Sequence, residues 1–367
     1  MRSSSGGSQK DVSINIHSSK PQLMKITDFD YQLDEGKIAQ FPASPRDHSK
    51  LLFVERQTWE IKDLRFFEIE GLLWENDVLV FNETKVIKAR LRWFVVLQDW
   101  RKKEVEIFLL TQKGLNVWEC SVFPWERLKP GKKVQFEWSW LIWEIKEITY
   151  SWRIIEFNMW WSEFFKEIDR IWTIPLPPYI ANSWQTLEQY NTVIAKIEWS
   201  AAAPTAGLHF TPELLDRLEK RWVKVEKVLL HIWLGTFKTI TAENIEDHEI
   251  HKEYIEIDEK AAERLNQHKK DKKRIIAVGT TVVRTLESMS DEKWNLSHWS
   301  KETNIFIYPW YKFRFVDSMI TNFHLPKSSL LMLVSAFYER KKMLELYDHA
   351  QANGYRFFSF GDAMFIM

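Results

Sequence analysis

The chain reads as an α/β protein: a main α/β domain, barrel-like or layered, with an inserted antiparallel β-barrel domain. Three observations predict this. Helix-period and strand-period segments alternate in the first part of the chain and again after residue 159, which implies helices packed on a sheet. Between residues 82 and 158 the texture changes to short alternating runs divided by turn signals, the pattern of a small antiparallel barrel. A length of 367 residues is enough for two such units. The expected boundaries are 24–81 and 159–367 for the α/β domain and 82–158 for the insert. Residues 1–23 are Ser-rich and polar, without the apolar core of a signal peptide. They are expected to be a disordered tail or to follow a misplaced start.

Taken in order, 36–41 is expected to be helical, 51–55 a strand, 66–73 a helix and 77–81 a short strand. In the insert, strands are expected over 86–96, 104–111, 117–122, 133–137, 141–150 and 153–157, with Lys129-Pro130-Gly131-Lys132 as one of the turns. The run Pro175-Leu176-Pro177-Pro178-Tyr179 is a connector that no helix can cross. The stretch Ser200–Pro212 has neither helical nor strand period. Pro204 extends the backbone before it, Gly207 allows a turn, and Thr211-Pro212 is an N-cap with proline at the first helical position. A helix to about Lys220 follows, then a strand over 223–230, a helix over 261–270, a strand over 274–278 and a helix over 280–288. A strand over 305–308 and an apolar helix over 329–340 complete the pattern.

Lys+Arg and Asp+Glu are both 51, so the formal net charge is zero and any nucleic-acid contact must come from local patches. The single Cys120 excludes an internal disulfide and a cysteine metal cluster, and fits a reducing, cytoplasmic compartment. No apolar run is long enough to span a bilayer. Tryptophan is anomalous: there are 20, against 11 glycines. Together they come close to the usual share of glycine alone, about 7%. Many of the tryptophans occupy turns, such as Trp59, Trp125, Trp138, Trp140, Trp233 and Trp310, where glycine is natural and an indole is not. These positions are expected to be glycines encoded by UGA codons and written as Trp. The competing reading is a non-catalytic Trp-rich protein that binds RNA or carbohydrate by stacking.

Several groups of residues could carry chemistry. Thr205 and His209 lie on a tight loop that feeds a helix N-terminus. Strand 274–278 runs into Gly279-Thr280-Thr281 and a helix bearing Arg284, a ready acceptor for an anion or carboxylate. Around Asp247, His248 and His251 acids and imidazoles mix, but no zinc-type His-Glu-x-x-His occurs, and a polar or general-base loop is the preferred reading over a metal. Asn322 and His324 flank a turn before an N-cap. Tyr355 and Phe357 belong to an aromatic terminus that either closes the core or walls a base. Basic patches lie at Arg101-Lys102-Lys103, at Arg127 to Lys133, which includes Lys129 and Lys132, and at His268 to Arg274. The first two fall in the insert and suit an RNA backbone.

These motifs together resemble one family. FPASPRD (41–47), DVLVFNETKVIKARL (77–91), PLPPYI (175–180), AAPTAGLHFT (202–211), LHIWLGTF (230–237), EDHEIHKE (246–253), VGTTVVRTLE (278–287), IFIYPWY (305–311), TNFHLPKSSLLMLVSAF (321–337) and YRFFSFGDAMFI (355–366) are similar to the S-adenosylmethionine:tRNA ribosyltransferase-isomerases, the QueA family of queuosine biosynthesis. The departures fall on tryptophan: Trp172, Trp199, Trp222, Trp233 and Trp310 stand where the family carries glycine, whereas Trp118 matches a family Trp. The resemblance implies transfer and isomerisation of the ribosyl part of S-adenosylmethionine onto 7-aminomethyl-7-deazaguanine at the tRNA wobble position. The products are epoxyqueuosine-tRNA, adenine and methionine. S-adenosylmethionine is then a substrate, with no prosthetic group and no metal expected, and a monomer is expected. An S-adenosylmethionine-dependent tRNA methyltransferase is the enzymatic alternative. On this reading His209, His324 and Asp247 are candidates for proton transfer. Thr280, Thr281 and Arg284 would hold a polar end of S-adenosylmethionine, and Tyr355 and Phe357 would stack. Pro204, Thr205, Gly207, Phe210, Gly279 and Asn322 complete the expected substrate-binding set.

Overall fold

The computed structural model describes residues 24–86, 90–96, 102–123, 129–135, 140–149, 153–159, 162–164, 166–167, 176–177, 179–180, 188–200, 202–232, 243–248, 250 and 252–367. The tail 1–23, Arg101, Arg127, Trp172, Trp233 and His251 lie outside them.

Its body is a mixed nine-stranded sheet in the order β15-β13-β12-β3-β14-β16-β17-β1-β2. The central strands β12 (Lys224–Leu230), β3 (Asp77–Asn82), β14 (Arg274–Val278) and β16 (Ser318–Asn322) are parallel. Antiparallel strands β13 (Glu253–Glu256) and β15 (Ser300–Thr303) flank one side. On the other side β17 (Ala363–Ile366) runs antiparallel to β16, parallel to β1 (Lys50–Val54), and β2 (Ile61–Arg65) closes the edge. Of the two architectures left open for the α/β domain, the layered one is therefore observed.

Alternation along the strands builds the layers. Leu52, Val54, Val78, Val80, Ile275 and Ala277 pack on one face against α2 (Glu259–Lys270), α3 (Thr280–Met289), α4 (Ser329–Phe337) and α5 (Arg340–Ala352). Leu51, Phe53, Leu79, Phe81, Ile276 and Val278 pack on the other against α1 (Pro212–Lys220) and the turn Phe66–Gly71. Burial on both faces explains why these strands read as continuous apolar runs. The N-caps are those expected from turn chemistry: Thr211 caps α1 with Pro212 at its first position, and Ser328 caps α4.

Between residues 90 and 157 the described strands β5 (Arg90–Val96), β6 (Lys102–Gln112), β7 (Val117–Phe123), β8 (Lys133–Gln135), β9 (Ile142–Ile148) and β10 (Arg153–Phe157) form a separate antiparallel sheet in the order β5-β6-β7-β10-β9-β8. It has its own core around Trp118, Cys120, Trp143 and Ile155. A short parallel ribbon follows β3: β4 (Thr84–Val86), which leads towards the inserted sheet, pairs with β11 (Ile197–Ser200).

Four expectations are corrected. The segment 36–41 forms only a tight turn at Glu35–Lys37, and 66–73 is a 3₁₀ helix, Phe66–Gly71. Residues 305–308 form no strand; Ile307 packs into the core with no neighbouring ladder. The helix expected over 329–340 stops at Phe337, where Tyr338 turns extended, and α5 restarts at Arg340.

The tryptophans differ in environment, and Trp140, expected to be glycine, is exposed without a positive φ. Trp118 is buried, 2% exposed, in the inserted sheet. Trp59, Trp222, Trp294 and Trp310 are exposed and have φ of 64°, 65°, 64° and 76°. For a bulky residue this left-handed backbone is a true outlier, and glycine adopts it freely.

Candidate active site

The four parallel strands end on the same side. β12 and β14 lie on opposite sides of β3, so the chain reverses direction across the sheet at that point, the place where open α/β sheets hold ligands. A cleft of about 650 Å³, including space open to solvent, sits over these strand ends. Its floor is Gly279-Thr280-Thr281 after β14 and Thr321-Asn322-Phe323-His324 at the end of β16. Its roof is Ala203–Ala206, and Tyr179, Phe358 and Ser359 form a side wall.

Gly279 makes the floor possible. Its φ of 99° turns the strand directly into α3, whose N-terminus opens at the cleft. Across from it the turn Thr205–His209 is tied to the body through side chains. Thr205 Oγ1 donates to Asn322 Oδ1 at 3.0 Å, Asn322 Nδ2 approaches His209 Nε2 at 3.2 Å, and His209 Nδ1 lies 2.8 Å from Ser49 Oγ. His209 is buried and stacks on Phe66. Gly207 belongs to the same turn because a Cβ there would meet Thr192 Cγ2 at 2.9 Å.

His324 is the imidazole on the cleft wall. Its Nε2 is 2.9 Å from Thr321 Oγ1, and Nδ1 has no hydrogen-bond partner among the described residues. The ring is fixed through its own backbone, which accepts from Tyr31 and donates to Tyr347.

Burial depresses three imidazoles. His324 is lowered to about 3; His209 to about 4, with Asp362 opposing the shift; His231 to about 4, with Glu256 opposing it. Folded values below the unfolded value of about 6.5 mean that the unfolded chain binds protons the native chain does not. Stability is therefore expected to fall as pH drops from about 6.5 towards 4 and to be restored on raising it. Urea midpoints at pH 7.5 and 5.5 check this; a flat midpoint would show that these rings are not held neutral.

The structure gathers Pro204, Thr205, Gly279, Thr280, Thr281, Asn322 and His324 around one cleft. The other expected residues lie elsewhere. Phe210 packs edge-on against Phe66 and Phe81 and borders a second, open groove beside the Phe41–Arg46 loop. Arg284 lies on the buried side of α3, paired with Glu253. Tyr355 donates to Asp63, and Phe357 packs on Phe323 in the core. Asp247 is exposed on a turn and accepts from Asn244. Of the basic residues in the insert, Lys129 and Lys133 are exposed, Lys132 is half-buried, and Lys102 and Lys103 lie on β6 (Lys102–Gln112). No three His, Cys, Asp or Glu residues gather to hold a metal among the described residues.

Reading the sequence missed the aromatic wall. Phe358, one position from the expected Phe357, has φ of 68°, and this turn brings it to the cleft against Tyr179 at 4.9 Å between ring centroids. Tyr179 OH in turn lies 2.7 Å from Ser359 Oγ. The motifs PLPPYI and YRFFSF contained these residues; nothing in their spacing tells a wall from a core.

Comparison with known proteins agrees with this geometry. Residues 26–366 match the family described as queuosine biosynthesis protein. An S-adenosylmethionine:tRNA ribosyltransferase-isomerase of Desulfitobacterium hafniense is 46% identical over 94% of this chain and 100% of its own length. One of Carboxydothermus hydrogenoformans is 48% identical, again over 94% and 100%. A crystal structure of an S-adenosylmethionine tRNA ribosyltransferase from Thermotoga maritima superposes with a TM-score of 0.53 at 33% identity, covering 93% of this chain and all of that one. A match across nearly the whole chain, together with a cleft at the switch point of the sheet, places this chain in the queuosine biosynthesis family of S-adenosylmethionine:tRNA ribosyltransferase-isomerases.

Proposed function

We propose that the cleft over β3, β14 and β16 is where S-adenosylmethionine gives up its ribosyl group to tRNA. The protein is an S-adenosylmethionine:tRNA ribosyltransferase-isomerase of queuosine synthesis. It moves and isomerises the ribosyl moiety onto 7-aminomethyl-7-deazaguanine at the wobble position, giving epoxyqueuosine-tRNA, adenine and methionine. S-adenosylmethionine is consumed as a substrate. The observation that carries the site assignment is the convergence of Gly279-Thr280-Thr281, Asn322 and His324 on one cleft.

The chemistry needs a proton acceptor for the aminomethyl group or for the acidic carbon beside the sulfonium, and it needs both substrates held in place. His324 is the acceptor: it is neutral and keeps one ring nitrogen uncommitted. The α3 N-terminus with Thr280 and Thr281 receives the amino-acid carboxylate of S-adenosylmethionine. Arg284, one turn further along the helix, is neutralised by Glu253 and takes no part at that end. Tyr179, Phe323 and Phe358 take the stacking role expected of Tyr355 and Phe357.

The chain works as a catalytic domain, 24–81 and 159–367, with the insert 82–158 closing into a small barrel. The separate core of the inserted sheet supports this division. The lysines Lys129, Lys132 and Lys133 lie next to β8 (Lys133–Gln135) and, with Arg101, Lys102, Lys103 and Arg127, suit the phosphates of tRNA. No helix among the described residues is long and apolar enough to cross a membrane, and a cytoplasmic monomer is the arrangement this reading takes.

The test is adenine release. The protein is expected to liberate adenine and methionine from S-adenosylmethionine only when tRNA carrying the 7-aminomethyl-7-deazaguanine base is present. Formation of S-adenosylhomocysteine instead would show a methyltransferase. No turnover, with saturable RNA binding, would leave a binding protein.

A further inference from the structure

The hydrogen bonds beneath the cleft have a fixed direction, and that direction determines what the cleft can read. The starting point is the Phe358 carbonyl, which can only accept. Asn322 lies 3.2 Å from it and must therefore present Nδ2. The same Nδ2 is 3.2 Å from His209 Nε2, so its second proton goes there and Nε2 is the unprotonated nitrogen of the ring. The ring proton is then on Nδ1, 2.8 Å from Ser49 Oγ, which accepts it. With Nδ2 committed twice, Asn322 Oδ1 faces Thr205 and accepts its hydroxyl proton at 3.0 Å. Thr205 Oγ1 is left with lone pairs only. It lines the cleft, with the aromatic wall of Tyr179, Phe323 and Phe358.

We propose that the Phe358 carbonyl and His209 Nε2 together hold the Asn322 carboxamide in one orientation, His209 as a positioning residue, and that Thr205 Oγ1 thereby faces the cleft as an acceptor for the exocyclic amine of the adenine ring of the donor substrate. The aromatic wall supplies the face that a purine needs, and the amine is the N–H group on that ring. This deepens the proposed function and rests on it. It also replaces proton transfer as the role of His209, since both ring nitrogens are engaged and the ring is buried.

The test compares S-adenosylmethionine with its 6-oxo counterpart, in which hypoxanthine replaces adenine, using the full chain and precursor tRNA. A carbonyl at that position sets acceptor against acceptor. The wild-type protein is expected to favour the adenine compound in kcat/KM by roughly tenfold to a hundredfold. Thr205→Val should bring the ratio to within about threefold of one, because the acceptor is gone. His209→Phe should lower it in the same direction but by less, since the Phe358 carbonyl alone then holds the Asn322 carboxamide. His209→Gln, whose side-chain carbonyl can still accept from Asn322, should keep most of it. Loss of packing alone lowers both substrates together and leaves the ratio where it was. A wild-type ratio near one, or a ratio unchanged in both Thr205→Val and His209→Phe, overturns the proposal. If His209→Phe does not fold, the Thr205→Val ratio decides alone. Adenine release without discrimination removes this inference and keeps the function; absence of any release removes both.

Discussion

A variant with glycine at positions 59, 222, 294 and 310 is expected to be more stable than the chain as written, by about 3 kcal/mol in sum. Each indole stands on a left-handed backbone, with φ between 64° and 76°. That conformation costs an L-residue about 1–2 kcal/mol, and about 0.5–1 kcal/mol of the gain is returned because glycine is freer in the unfolded chain. The four sites lie in separate turns: before β2, after α1, after α3 and between β15 and β16. Their effects should therefore add. Little packing is lost, since the four side chains are between 47% and 68% exposed. Trp59 gives up a contact with Tyr338 and one with Lys342. Trp118→Gly is the contrast: it empties a buried site and should cost about 3–5 kcal/mol. Urea unfolding of the three proteins measures both. A quadruple variant no more stable than the parent would contradict the glycine reading, as would UGG codons at these positions in the gene.

His324→Ala is expected to lower kcat by about a hundredfold, with KM changed little. The figure sits at the low end for a general base because an imidazole pushed down to about 3 by burial is a weak one. Its value lies in being neutral and placed. The same burial predicts the pH profile: kcat/KM should show no inflection from this ring between pH 5 and 8, since it takes a proton only near pH 3. A variant with normal turnover would remove His324 from the chemistry. A wild-type inflection near 6.5 that disappears in the variant would show that the ring titrates freely.

Much of the site was legible where backbone chemistry is local. Gly279-Thr280-Thr281 announces a strand turning into a helix, and Thr211-Pro212 announces a helix start; both stand where expected. Thr205 was visible on a tight loop that feeds a helix N-terminus, and Asn322 and His324 beside a turn before an N-cap. The aromatic wall was not. Phe357 and Phe358 are chemically the same, and a single left-handed residue decides which faces the core and which faces the cleft. Strands β16 and β17 were missed for a related reason. Both are short and wholly buried, so they carry no alternation, and Ser318, Thr321 and Asn322 make β16 read as a loop. Arg284 was read correctly as belonging to the helix but wrongly as facing its open end, because spacing along α3 does not reveal that Glu253 waits on β13.

The ribbon of β4 and β11 has a mechanical meaning. One strand, β4, leads from β3 towards the inserted sheet; the other, β11, leads into the cleft roof at Ala203–Ala206, and the two run side by side in the same direction. A force applied to the insert through β4 therefore loads its rungs to β11 in shear, with the rungs sharing the strain, instead of peeling them one at a time. The anchorage lies at the cleft: Thr84 Oγ1 is 3.0 Å from His231 Nδ1, and Ser200 Oγ receives the Ile232 N–H at 3.0 Å beside the cleft residue Ile232. A macromolecule gripping the insert would thus pull on the rim of the cleft through β4.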